Sequence, residues 1–281
     1  MFYLLFVLIQ MKKLLHLSDL NKAELDKLNL GFVPTMGALH KGHISLIKAS
    51  KKKSAKTLVS IFVNPKQFNK KNDFKYYPRQ INKDLKILKS LKIDYVFLPK
   101  NKDIYKKKRL KKITLKKGDK ILCAKFRKGH FEGVLDIMDR FTKIINPKKI
   151  YLGEKDFQQF YLIKKFLTKR YSSKIILCPT IRDKNKIALS SRNILLKKID
   201  IIKASQISKY FIRFKNLYRS NKNNLINLLI LQKKYIEKKF NVKIEYLELR
   251  KKNNLKISKN FIRSKLFLAY KINKVRLIDN F

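Results

Sequence analysis

A chain of 281 residues, 45% of them hydrophobic, is long enough for about two domains and apolar enough to bury a core, which excludes a disordered chain. Its formal charge of +51 invites a nucleic-acid function, but lysine outnumbers arginine 58 to 12 and is spread from end to end. With no single basic patch and few guanidinium forks, salt-sensitive adhesion to polyanions is expected and a specific nucleic-acid partner is not.

In chain order, the first residues, Met1 to Ile9, are apolar but far short of the roughly 20 needed to span a bilayer. The basic pair Lys12-Lys13 follows this run, whereas a signal peptide carries its charge in front. The run therefore reads as an extension or a first strand, with no membrane role. A start at Met11 would make Lys13 to Leu17 the first strand. Short apolar runs then alternate with helical patterns to about residue 180. Strands are expected at Leu28–Val33, Thr57–Val63, Tyr95–Leu98, Lys149–Leu152 and Lys174–Cys178, and helices at Gly42–Lys52, Arg79–Leu91, Gly133–Ile145 and Asp156–Thr168. That alternation predicts an α/β domain over residues 1–180, a Rossmann-like parallel sheet with helices on both faces. The basic stretch from Lys106 to Lys128 shows no clear periodicity. A polar loop, Arg182 to Asn193, leads to helical patterns at Lys198–Phe214 and Asn223–Lys239, then strand-like runs at Lys243–Leu249, Leu266–Ala269 and Val275–Ile278. Residues 181–281 thus read as a smaller α+β domain. Two cysteines, Cys123 and Cys178, make neither a disulfide framework nor a metal quartet, which fits a reducing, cytoplasmic setting.

Four segments after the first predicted strand carry chemistry. Pro34-Thr35-Met36-Gly37-Ala38-Leu39-His40-Lys41-Gly42-His43 places an H-x-G-H at a strand-to-helix turn, where glycine lets backbone approach an anion and two imidazoles can face one phosphate. In Ser60 to Phe68, Asn64 and Gln67 end a strand at the same carboxyl edge, suited to a small hydroxylated or carboxylated substrate. Gly153-Glu154-Lys155-Asp156-Phe157-Gln158-Gln159 offers a lysine for phosphate, an acid for ribose hydroxyls, and Gln159 from the first helical turn. Ser190-Ser191-Arg192 sets two hydroxyls and a guanidinium together as a phosphate grip. Each alone also fits a plain turn or a capped helix start. In Arg127 to Val134, a structural and a ligand-binding role for His130 fit equally well.

Taken together, PTMGALHxGH, SIFVNPxQF, YPR followed by Asp84, GHFxGV, GEKDFQQ, SSRN, YLELR at 246–250 and RLIDN at 276–280 resemble the AMP-forming pantoate–β-alanine ligase family of coenzyme A biosynthesis. The resemblance runs from about residue 28 to the end. It implies an enzyme that uses ATP, with magnesium, to join (R)-pantoate to β-alanine through a pantoyl adenylate, and it implies a homodimer whose smaller domain closes over the ATP site. Carried over by position, it gives His40, His43 and Lys155 catalytic roles. ATP would be bound by these three with Met36, Gly153, Asp156, Ile181, Leu189, Ser190, Ser191 and Arg192, and pantoate by Gln67 and Gln159. Asp84 would lie near the magnesium. The chain departs from the family's usual residues at Lys41, Lys66, Lys83 and Lys128 and at the Cys123-Ala124 pair, which puts in question metal affinity, the pantoate pocket and the loop before His130.

Overall fold

The computed structural model describes residues 10–25, 28–69, 71–106, 112–221 and 223–281. The expectation for Met1 to Ile9 lies outside them. By internal contact the chain forms two units. The first comprises the described residues up to Leu115 with Gly129–Leu152 and Leu162–Cys178; the second comprises Lys116–Lys128, Gly153–Tyr161 and Pro179–Phe281. The second unit thus gathers two stretches, 116–128 and 153–161, that a division at residue 180 would leave in the first.

In chain order the first unit contains β1 (Lys12–Leu14), α1 (Leu17–Lys22), β2 (Leu30–Thr35), α2 (Lys41–Lys53), β3 (Lys56–Ile61), α3 (Lys71–Lys75), α4 (Ile81–Ser90), β4 (Tyr95–Phe97) and α5 (Asn101–Tyr105). After α6 (Cys123–Phe126), which belongs to the second unit, come α7 (His130–Ile145), β5 (Lys149–Gly153), α8 (Phe157–Leu167), whose residues up to Tyr161 belong to the second unit, and β6 (Lys174–Cys178). The sheet order is β1-β4-β3-β2-β5-β6, and β2 is paired in parallel with both β3 and β5. The chain reverses direction across the sheet at β2, so the loop that follows β2 opens at a switch point, where ligands bind in such sheets. Alternate residues define the two faces. Val33, Val59 and Val96 are buried with Leu46 and Ile47 of α2 and Leu88 of α4. On the opposite face Phe32 and Phe97 set their edges against Phe141 of α7, with ring centroids 5.8 and 5.9 Å apart. Helices therefore cover both faces, as the sequence pattern predicts.

Several boundaries differ from expectation for local physical reasons. The first strand stops at Leu14 instead of running to Leu17, because the Asp19 carboxylate accepts the N–H groups of Leu15 and His16 and turns the chain into α1. β2 continues through Pro34. Thr35 accepts from Phe62 on the β3 side, so the missing proline N–H faces β5, whose ladder with β2 has ended at Phe32. Helix α7 begins three residues before Gly133, launched by Gly129 at φ +80°. The stretch before it is less irregular than expected, with a 3₁₀ turn at Lys117–Asp119 and then α6.

The second unit adds α9 (Lys198–Tyr218), α10 (Ile226–Phe240), β7 (Lys243–Lys251), β8 (Ser264–Ile272) and β9 (Val275–Asn280). The three strands form an antiparallel sheet in sequence order. One face packs on the two helices through Ile207, Phe211, Ile236, Leu266 and Leu268.

Candidate active site

The loop after β2 is built before it reaches the histidines. Thr35 Oγ1 donates to the Ser60 carbonyl (2.7 Å) and accepts from Gly37 N–H (3.2 Å). Gly37 and Ala38 both take left-handed backbone, φ +78° and +50°. Asp84 reaches across from α4, its two carboxylate oxygens accepting from Ala38 N–H (2.9 Å) and Leu39 N–H (2.8 Å). A Cβ on Gly37 would stand 2.9 Å from Asp84 Oδ2, so glycine is required there both for the dihedral and for the close approach.

His40 then caps α2. Its Nδ1 accepts from Gly42 N–H (3.1 Å), while Nδ1 of His43 accepts from His40 N–H (3.4 Å), a reciprocal capping box made of two imidazoles. The rings lie 4.1 Å apart between centroids. A nitrogen that accepts a hydrogen bond carries a lone pair, so the neutral rings hold their protons on Nε2. The sequence placed these residues on one turn; the cap fixes their tautomer.

Gln67 is held from three sides. Its amide donates to Met36 Sδ (2.6 Å) and accepts from Asn64 Nδ2 (3.3 Å). Its backbone carbonyl takes the Nδ1 proton of buried His130 (2.7 Å), which gives His130 a structural role. Asn64 Nδ2 also donates to the Gly133 carbonyl (3.0 Å), and a Cβ on Gly133 would sit 2.2 Å from the Lys66 carbonyl. The GHFxGV motif is thus the seat on which the 64–67 turn rests. Lys66, one of the departures, turns to Asp136 (3.2 Å) and lies over the Tyr105 ring.

In the second unit the Gly153-Glu154-Lys155-Asp156 turn is fastened by the last strand. Asn280 Nδ2 donates to the carbonyls of Glu154 (2.8 Å) and Lys155 (2.9 Å), and Lys265 pairs with the Glu154 carboxylate. Burial pulls the Lys265 ammonium below its ordinary pKa, with Glu154 opposing. Lys155 Nζ lies 3.1 Å from Asp156 Oδ2. Gln159 sits in the first turn of α8, and its neighbour Gln158 donates to the carbonyl of Ile121 (2.7 Å). Ile181 and Leu189 face each other across a hairpin, with Leu189 N–H donating to the Ile181 carbonyl. Ser190 Oγ accepts from Arg192 N–H (3.3 Å) at the start of a 3₁₀ turn that includes Ser191. Lys155, Asp156, Ser190 and Arg192 line one pocket of this unit, together with Arg127 and Arg276. Sequence reasoning assigned no binding role to those two arginines, although each lies inside a motif it had singled out.

Asp84 has a role in the structure that the sequence did not indicate. It is 1% exposed, and each of its oxygens accepts one backbone N–H, so in this structure it braces the loop after β2. Among the described residues no group of three or more His, Cys, Asp or Glu side chains gathers to hold a metal. Its neighbour Lys83 and the other departures Lys41 and Lys128 are exposed and leave these contacts intact.

Comparison with known proteins accounts for this combination of a histidine-capped loop, a braced glutamine and a basic pocket. The chain is 42% identical over 256 residues to pantothenate synthetase of Francisella tularensis subsp. novicida, covering 90% of this chain and 88% of that one. The crystal structure of pantothenate synthetase from Thermus thermophilus matches with a TM-score of 0.89 at 25% identity, covering 96% of this chain and 99% of that one. A Francisella tularensis pantoate-beta-alanine ligase, solved in complex with beta-gamma ATP and beta-alanine, matches with a TM-score of 0.82 at 38% identity over 96% and 97% of the two chains. With the model of the pantoate-beta-alanine ligase family matching residues 9–281 as well, the chain belongs to that family.

Proposed function

We propose that the enzyme uses ATP to condense (R)-pantoate with β-alanine, giving pantothenate, AMP and pyrophosphate through a pantoyl adenylate. The observation that carries this reading is the pair of imidazoles that cap the start of α2 side by side, their rings 4.1 Å apart, at the strand-to-helix turn where a phosphoryl group would be stabilised as charge develops on it. In the first step a pantoate carboxylate oxygen bonds to the α-phosphorus and the bond to the β-phosphate oxygen breaks, releasing pyrophosphate. In the second the β-alanine amine attacks the acyl carbon, loses a proton, and AMP leaves with the oxygen that pantoate supplied. Such a reaction depends on placement and charge stabilisation more than on proton transfer.

His40 and His43 are assigned to the transferring phosphate, and Lys155, Ser190, Ser191 and Arg192 to the remaining phosphate oxygens. Gly153 and Asp156 are assigned to the ribose, Met36, Ile181 and Leu189 to the rest of the nucleotide, and Gln67 and Gln159 to pantoate. Gln67 suits that role because its amide is already oriented by Met36 and Asn64. The family resemblance further implies magnesium and a homodimer. Asp84 is assigned a place near that magnesium, and no step is assigned to the ion. The test is product analysis. Pyrophosphate should appear with ATP and pantoate alone, and AMP with pantothenate once β-alanine is added; stoichiometric ADP overturns the reading.

A further inference from the structure

Arg276 has no role in the assignments above, yet it stands in the wall of the pocket that holds Lys155, Ser190 and Arg192. Its position follows from strand parity. In β9, Val275 and Leu277 pack against the core of the second unit. Arg276, Ile278 and Asn280 therefore share the opposite face, and from that face Asn280 grips the Lys155 backbone.

The guanidinium is aimed by its neighbours. Its Nε donates to Glu245 Oε2 (2.7 Å) and one terminal nitrogen to the Cys123 sulfur (3.3 Å). Glu245 is shared, because its other oxygen pairs with Lys271 at 3.4 Å. Cys123 also bonds the Tyr246 hydroxyl (3.0 Å), and burial pushes that phenol's pKa well above its ordinary value, so it stays neutral. One carboxylate thus serves two cations, Arg276 and Lys271. Arg127, Lys155, Arg192 and Arg276 face the pocket against two acids, Asp156 and Asp279, and Arg182 already clasps Asp279 through both oxygens at 2.6 and 2.8 Å. Four cations against two acids in one partly buried wall, with the Arg276 guanidinium held through Nε and one terminal nitrogen, suit a polyanion.

We infer that Arg276 is a further phosphate-binding residue of this pocket, set in place by Glu245 and Cys123 and directed at the triphosphate of ATP. The inference rests on the reading that ATP binds here. It makes Arg276 specific for charge on the ligand, which a role confined to fastening β9 would not.

The experiment compares ATP with adenosine by calorimetric titration of the full chain and of Arg276→Gln. The variant should bind ATP about 10- to 100-fold more weakly, the range for losing a hydrogen bond to a charged group, with adenosine affinity unchanged. Equal losses for both ligands, or no loss in a folded variant, overturn the inference. If Arg276→Gln does not fold, Arg276→Lys replaces it: the charge stays and the fork is lost, so ATP alone should weaken, and unchanged ATP affinity counts against the proposal. Failure of the unaltered chain to bind ATP at all would instead contradict the underlying assignment of this pocket.

Discussion

The Asp84 carboxylate ties the loop that presents His40 and His43 to α4 through two charge-assisted hydrogen bonds in a fully buried setting. Asp84→Asn keeps the shape but turns an amide NH₂ toward one backbone donor. It should therefore lower stability by about 1–3 kcal/mol, the cost of an unsatisfied buried group, and slow adenylate formation. Urea denaturation and pyrophosphate release measure the two effects, and a variant matching the parent in both would contradict the bracing role. For the histidines, nitrogen NMR of labelled imidazoles should find both neutral rings protonated at Nε2; an Nδ1-protonated ring at either position contradicts the cap. His40→Ala and His43→Ala should each slow adenylation by about 10²–10³, as loss of one preorganised donor does. Wild-type rates in both folded variants would remove these residues from the chemistry. The histidines were legible in the sequence because the H-x-G-H spacing and the turn that joins them are local. The role of Asp84 was not, because its partners lie 45 and 46 residues away.

At the level of elements, motifs that read as candidate ligand sites turn out to hold other segments in place. The start of α7 seats the 64–67 turn through His130 and Gly133, and the end of β9 fastens the 153–156 turn through Asn280. Arg79 of the YPR motif similarly gathers the carbonyls of Phe74, Lys75 and Tyr77 at the end of α3. Gly133→Ala forces a methyl within 2.2 Å of a backbone carbonyl, so it should destabilise by about 1–3 kcal/mol and weaken pantoate binding by displacing Gln67. Gly153→Ala meets nothing within 4 Å and should change stability by no more than about 0.5 kcal/mol. Thermal melts of the pair, with pantoate titration of the first, check this, and equal stabilities contradict the seat. Strand and helix order was legible from periodicity. The β2 end was misplaced because a proline normally marks a boundary, and only the pairing on each side of the strand explains its tolerance.

For the whole molecule, the alternation of strands and helices gave away the parallel sheet and the later α+β pattern. That residues 116–128 and 153–161 group with the second unit was hidden, since contact and not chain order decides it. The charge of +51 is scattered over the surface, while the pocket cations lie within motifs, so function follows the motifs and not the net charge. The central claim is that the pantoate carboxylate attacks the α-phosphorus of ATP, and an oxygen label tests it most directly. Pantoate enriched with ¹⁸O in its carboxylate is turned over with ATP and β-alanine, and the products are weighed by mass spectrometry. The account predicts AMP carrying one heavy oxygen, with none in pyrophosphate. Label in orthophosphate alongside ADP, or AMP without label, would contradict it.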